Sequence, residues 1–322
     1  MRPRGTLEAA DSETPRQDEL NRERFNRTME GREEGESLVI WYTNADVLTQ
    51  DKLIEIKSRI NMSQQPPDVI CICEGKPKHV NRILTMEEVQ LDDYIIENQN
   101  YLNEKGRGLL VYIHKSVSYN VIPNQADFQE ALLLMVRPSP GCNMLIATIY
   151  RSPNSNEENN QKLNQLIREI ARVNCTHLIV TGDFNYPKID WTNMTTPSDP
   201  SSKEFLFLEA IRDAFVVQHI QEPTRGRGSA TPSILDLFFT QEEEIVRSIK
   251  MQAPLGKSDH VVIVCEIMVT AIESAPMTVR DYNKGNYELI RDFFNQDWET
   301  ELAALPSGQA KWEHFERQYQ LA

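Results

Sequence analysis

Apolar residues in this chain fall into short runs that stop at polar ones, and that pattern predicts its architecture. The segments Ser37–Asn44, Asp68–Glu74, Leu109–His114, Ala131–Val136, Met144–Tyr150, Leu178–Asn185, Ser233–Thr240 and His260–Met268 are short and dominated by aliphatic side chains, as buried strands are. Between them, apolar residues recur at helical spacing over Asp46–Ile60 (Leu53, Ile56, Ile60) and Glu157–Val173 (Leu163, Leu166, Ile167, Ile170), and a third helix is expected over Lys203–Ala214. Such stripes predict amphipathic helices. Helices alternating with strands, plus consecutive strand-like runs over 109–150, predict a mixed α/β sandwich rather than a purely parallel sheet.

The two ends read differently. Residues 1–36 alternate Arg with Asp and Glu and carry almost no aliphatics, so disorder is expected there. Residues 37–270 hold the strand-like runs and form the expected main domain. From about Ala275 the text reads as short charged helices with little apolar content, and 271–322 is expected to be a charged helical connector. It runs in helix-like text to Ala322, as a fragment of a longer polypeptide would.

Composition narrows the class. A formal net charge of −14 and a pI near 5.0 argue against a basic footprint over the whole surface, though a local basic groove remains compatible. The five cysteines are odd in number, and Cys71, Cys73 and Cys265 lie inside apolar runs, the usage of buried free thiols rather than of disulfides or zinc. Cys71 and Cys73 alternate along one strand and should face the same side of the sheet. No apolar run is long enough to span a membrane, and the first residues lack the apolar stretch of a secretory signal. An intracellular protein, neither secreted nor membrane-bound, is expected.

The chemistry sits where the runs end. Glu74, Asp183 with Asn185, and Asp259-His260 each close or open an apolar run, so an open sheet would gather them at one rim, where such sheets bind ligands. Carboxylates, an amide and an imidazole at one rim suit metal-assisted hydrolysis of a phosphate ester. Mg²⁺ (or Mn²⁺) needs few oxygen ligands besides water and substrate; Glu74 and Asp259 are the candidates, with Asn44 contributing its amide oxygen. Asp183 would orient or deprotonate water, and Asn185 would hold it or a phosphate oxygen. Asp236, a carboxylate inside the apolar run 234–239, needs a buried partner, which His260 would supply. Tyr150 and Asn154 could donate to phosphate. The single motifs are weak: Gly182-Asp-Phe-Asn alone is as readily an Asx turn, and Lys105-Gly-Arg-Gly108 precedes a strand and reads as a hairpin turn. No nucleophile elbow or P-loop is present.

Taken in order, Asn44, Glu74, Tyr150…Asn154, Asp183…Asn185, Asp236 and Ser258-Asp259-His260 resemble the endonuclease/exonuclease/phosphatase superfamily over about residues 37–270. Within it, Pro67–Glu74, Ile149–Asn154 and Pro223-Thr-Arg225 leading to Leu235–Thr240 are similar to the endonucleases of non-LTR retrotransposons. The text after Glu74, Gly-Lys-Pro-Lys, departs from that family's usual one. The resemblance implies a four-layer, DNase I-like α/β sandwich and Mg²⁺-dependent nicking of DNA for target-primed reverse transcription, with a covalently linked reverse transcriptase in a longer chain and a nuclear location if chromosomal DNA is the target. It also implies substrate contacts from Thr224, Arg225, Arg227 and Ser258. Two alternatives stay open: a phosphatase acting on an inositol phosphate or an RNA tail, and a domesticated, catalytically idle interaction module.

Overall fold

The computed structural model describes residues 37–79, 84–102, 106–226, 231–269 and 287–321; residues 1–36, and the disorder expected of them, lie outside these. The chain divides after Glu273 into two compact units.

Among the described residues, the larger unit holds twelve strands in two sheets. In the first, β1 (Ser37–Asn44), β2 (Val69–Cys73), β3 (Tyr94–Gln99), β4 (Leu109–His114), β11 (Val246–Gln252) and β12 (Val262–Met268) lie in the order β11-β12-β1-β2-β4-β3. In the second, β5 (Ser118–Ile122), β6 (Ala131–Ser139), β7 (Cys142–Tyr150), β8 (His177–Asp183), β9 (Val217–Gln218) and β10 (Asp236–Thr240) lie in the order β5-β6-β7-β8-β10-β9. Each sheet has one parallel pair, β1 with β2 and β7 with β8, and is otherwise antiparallel. A parallel pair needs a crossover, supplied by α1 (Gln50–Met62) in the first sheet and α2 (Glu157–Ile170) in the second; α3 (Lys203–Asp213) packs beside α2.

The period of two along each strand builds the layers. Leu38, Ile40, Tyr42, Val69, Cys71 and Cys73 meet Met144, Ile146, Ile179 and Phe238 in the core between the sheets. The alternate residues face outward: Leu145, Val180 and Phe239 with Leu163, Ile167 and Phe207 under α2 and α3, and Trp41, Ile70 and Ile72 with Leu53 and Ile56 under α1. The result is a four-layer α/β sandwich of two packed mixed sheets.

Several boundaries differ from the expectation for local reasons. Helix α1 starts at Gln50 rather than Asp46, because Asp46 and Val47 adopt positive φ and Thr49 caps the helix by accepting from the Lys52 N–H. Strand β10 starts at Asp236 rather than Ser233, because Ser233 pairs with Arg225 in an isolated bridge. Strands β3, β5, β9 and β11 lie at or beside sheet edges and are more polar than the runs read from the sequence. The smaller unit, described by itself, contains α4 (Tyr287–Phe294), α5 (Trp298–Ala303) and α6 (Gly308–Leu321). Little apolar content was expected here, but the helices share an aromatic cluster. The Phe293 ring lies 4.8 Å from Trp298, 5.6 Å from Phe315 and 5.9 Å from Tyr319.

Candidate active site

Tyr42, Asn44, Tyr150, Asp183 and Asp236 share strand parity with residues of the inter-sheet core, so their side chains enter the seam between the sheets. They also sit at one end of it: Asn44, Tyr150 and Asp183 end β1, β7 and β8, while Asp236 opens the antiparallel β10 opposite Asp183. The approach of β7 to β8 there is close. A Cβ on Gly182 would sit 1.9 Å from the Ile149 carbonyl oxygen, so only glycine fits before Asp183.

Asp183, Asp236 and His260 are buried, and a ligand atom of each lies within 4.8 Å of the others. Asp236 accepts 2.8 Å from the Tyr42 hydroxyl and is 2.7 Å from His260 Nδ1. Burial by itself would lower the imidazole pKa. The charge of Asp236 and the bond to it, then the charges of Asp183 and Asp259, outweigh burial and lift it to about 9. Asp183 accepts from Asn44 Nδ2 at 2.8 Å and from the Asn185 N–H at 3.2 Å. Its burial, then the charge of Asp236, push its carboxyl up to about 7.

Above this floor opens a cleft of about 460 Å³. Of the residues expected at the site, Asn44, Glu74, Tyr150, Asn154, Asp183, Asn185, Arg225, Asp259 and His260 line it. Glu74 stands just past β2 at φ 53 and is ion-paired to Arg107. Tyr150 hydrogen-bonds Glu74, and burial together with that carboxylate holds its phenol well above the ordinary range. Arg225 Nε donates to Asp259 at 3.1 Å; burial opposes ionisation of Asp259, but Arg225 and then His260 bring its pKa below the usual value.

Three expected residues are turned away from the cleft. Thr224 is fully buried, and its hydroxyl accepts the Leu235 and Asp236 N–H groups at 3.1 and 3.0 Å. Ser258 donates 2.8 Å to the Asn44 carbonyl and accepts the His260 N–H. Both brace the site rather than face it. Asp236 likewise lies beneath His260. The Asn44 amide oxygen, expected to face a cation, accepts the Asp46 N–H at 2.9 Å. Arg227 lies outside the described residues.

Other participants were not singled out in the sequence. Arg107, in the turn before β4, bridges Glu74 and Asp46. Glu130 lines the cleft, and its burial, then the charge of Glu74, raise its carboxyl to about 7. Tyr42 was hidden in an apolar run. The donor set fits a hard divalent cation: Glu74 and Asp259 offer carboxylate oxygens to one cleft, which Asp46, Glu130 and Asp183 also line.

Residues 144–264 match the family model described as endonuclease-reverse transcriptase. The structure is similar to the endonuclease domain of TRAS1, a telomere-specific non-LTR retrotransposon, with 12% identity, coverage of 72% of this chain and 98% of that one, and a TM-score of 0.52. It is also similar to the AP endonuclease LMAP from Leishmania major, with 14% identity, coverage of 73% and 88%, and a TM-score of 0.55. At such identities the likeness shows the fold. No curated protein sequence matches the chain.

Proposed function

From a chain with the fold of the endonuclease/exonuclease/phosphatase superfamily, and with that family match over 144–264, we propose a divalent-cation-assisted phosphodiesterase that nicks duplex DNA. One observation carries the reading: the buried Asp183–Asp236–His260 cluster lies at the base of the cleft that also collects Glu74, Tyr150, Asn185 and Asp259. Glu74 and Asp259 would hold Mg²⁺ or Mn²⁺, with Asn44 adjoining them, and the cation would supply Lewis-acid polarisation of a phosphate oxygen. Binding there requires Arg107 to share or release Glu74, to which it is now paired.

The chain's own groups account for the remaining steps. Asp183, a carboxylate whose pKa sits near neutrality, orients and deprotonates the attacking water, a task suited to a base poised near the working pH. His260 stays cationic there, and with Nδ1 on Asp236 its Nε2–H would stabilise the non-bridging oxygens on which charge builds in the transition state. Asp236 holds that ring through Nδ1. Tyr150 remains a protonated phenol and donates to phosphate, Asn185 supplies its amide, and Asn154 does so from the rim.

Arg225 and Arg107 give the acidic chain local positive charge at the cleft, where a DNA backbone would run; Arg227 would add to it. The match description and the retrotransposon likeness favour a DNA substrate and a nick that primes reverse transcription by a linked enzyme, in the nucleus if the target is chromosomal.

The test is incubation of the whole chain with supercoiled plasmid and Mg²⁺, beside EDTA and Asp183→Ala controls. Open circles formed by the intact protein alone support the reading. A folded chain that forms none, while releasing phosphate from an inositol phosphate or trimming an RNA tail, would replace it with the phosphatase alternative. Failure on every phosphoester would favour an idle interaction module.

A further inference from the structure

Of all the described residues, Arg151 is the largest side chain that is fully buried. Among the described residues no carboxylate figures in its hydrogen bonds or ion pairs. Its Nε donates 2.8 Å to Asn160 Oδ1 on α2, and Nη1 donates to the carbonyls of Phe184 at 3.3 Å and Asn185 at 3.1 Å. The guanidinium lies 4.1 Å over the Tyr186 ring. Its backbone joins in: the Arg151 N–H donates 2.8 Å to the Asp183 carbonyl, and the Arg151 carbonyl accepts 2.9 Å from Asn185 Nδ2. One residue just past β7 thus grips Asp183, Phe184 and Asn185 at four hydrogen bonds.

Burying a guanidinium sacrifices its hydration, and an apolar side chain of similar volume often serves stability equally well or better. What it adds is geometry. Its planar, pre-organised fork ties Nε, held by Asn160, to Nη1, which reaches consecutive carbonyls of a turn that Asn185 enters at φ 52, while Nη2 has no hydrogen-bond partner among the described residues. That turn is a conformation an asparagine adopts at some cost. Anchored through Asn160 to α2, the fork fixes the direction of those carbonyls. Through them it fixes where the Asn185 amide stands and how Asp183 meets its N–H.

We propose that Arg151 is a positioning residue, acting through Asn185 and Asp183 on the reaction assigned above; the inference rests on that phosphodiesterase reading. Lysine keeps the charge but not the fork, and methionine keeps most of the volume but neither.

The experiment measures nicking kinetics and urea melts for wild type, Arg151→Met, Arg151→Lys, Asn185→Ala and the Arg151→Met/Asn185→Ala pair. Expected for Arg151→Met is a kcat about 10- to 100-fold lower with KM nearly unchanged, as misplacement of a reacting group produces. Arg151→Lys should behave the same. In the Asn185→Ala background the Met substitution should cost less than about threefold, the non-additivity of residues acting as a unit. Asn160→Ala, which leaves the guanidinium in place without its Nε anchor, gives a milder kcat loss suppressed in the same background, and decides the matter should Arg151→Met not fold. Fully additive losses, recovery by lysine, or losses that simply track the unfolded fraction would overturn the proposal. A folded wild type that nicks nothing overturns the phosphodiesterase reading first, and the role of Arg151 with it.

Discussion

Replacing Asp236 by asparagine isolates the charge beneath His260. Asp236 receives the Tyr42 hydroxyl on Oδ1 and faces His260 Nδ1 with Oδ2. An asparagine that keeps the Tyr42 bond therefore turns its NH₂ toward the ring. The imidazole then takes its single proton on Nε2: the donor into the cleft survives and only the charge is lost. In the wild type the ring is lifted to about 9, roughly 2.5 units above its ordinary value and worth on the order of 3 kcal/mol. Asp183 and Asp259 share in that lift, so the figure is an upper one. Without Asp236, burial is opposed only by the charges of Asp183 and Asp259, so a smaller fraction of the rings is charged at pH 7.5. The expected loss in kcat is about a hundredfold, smaller than for His260→Ala, which removes the donor as well.

The same pair makes a stability prediction. A histidine whose folded pKa exceeds its unfolded value contributes stability that is fully present below about 6.5 and is lost as the pH rises through about 9. Urea melts of wild type and Asp236→Asn should thus differ most near pH 6, and the gap should shrink between pH 6.5 and 9. A variant that nicks within threefold of wild type, or a stability gap that does not change over that window, would refute the reasoning.

Other outcomes follow from the same geometry. Gly182→Ala drives a Cβ into the Ile149 carbonyl and should cost about 3 kcal/mol or more, read as a large fall in the urea midpoint. Gly226→Ala, with nothing within 4 Å of the added carbon, should leave the midpoint unchanged. Thr224→Val removes the acceptor of two buried N–H groups and should cost about 1–3 kcal/mol, with slower nicking because one of those groups belongs to Asp236. Of the five free cysteines, Cys71, Cys73, Cys142 and Cys265 are buried, and burial pushes the Cys71 thiol up to about 12. A thiol reagent followed by mass spectrometry should label the partly exposed Cys175 first in native protein and all five in urea.

The central strands were legible because both of their faces are buried, and a continuous aliphatic run announces such a strand. The edge strands were not. Strand β11, reading Val-Arg-Ser-Ile-Lys-Met-Gln, keeps one side in water, and its charges hide the apolar alternates. At the site, Asp183, Asp236 and His260 stood out as polar residues interrupting or ending aliphatic text. Tyr42, Arg107, Glu130 and Arg151 did not, because their roles come from contacts across the seam or from a neighbouring turn. Thr224 shows the converse: a polar residue beside the site, whose hydroxyl is wholly taken up by backbone N–H groups. Spacing along a chain gives no direction to a side chain there.

Because Asn44 on one sheet bonds Asp183 on the other, and Tyr42 bonds Asp236 across the same seam, neither half of the sandwich contains a working centre. During folding, activity should therefore return only when the two sheets dock, later than secondary structure and together with tight packing. A partly ordered state with both sheets formed but loosely apposed would bind dye, keep its far-ultraviolet dichroism and be silent as an enzyme. The turnover assay is, in that sense, a gauge of inter-sheet registry, sensitive to core substitutions such as those at Phe238 or Ile146 that touch no substrate at all.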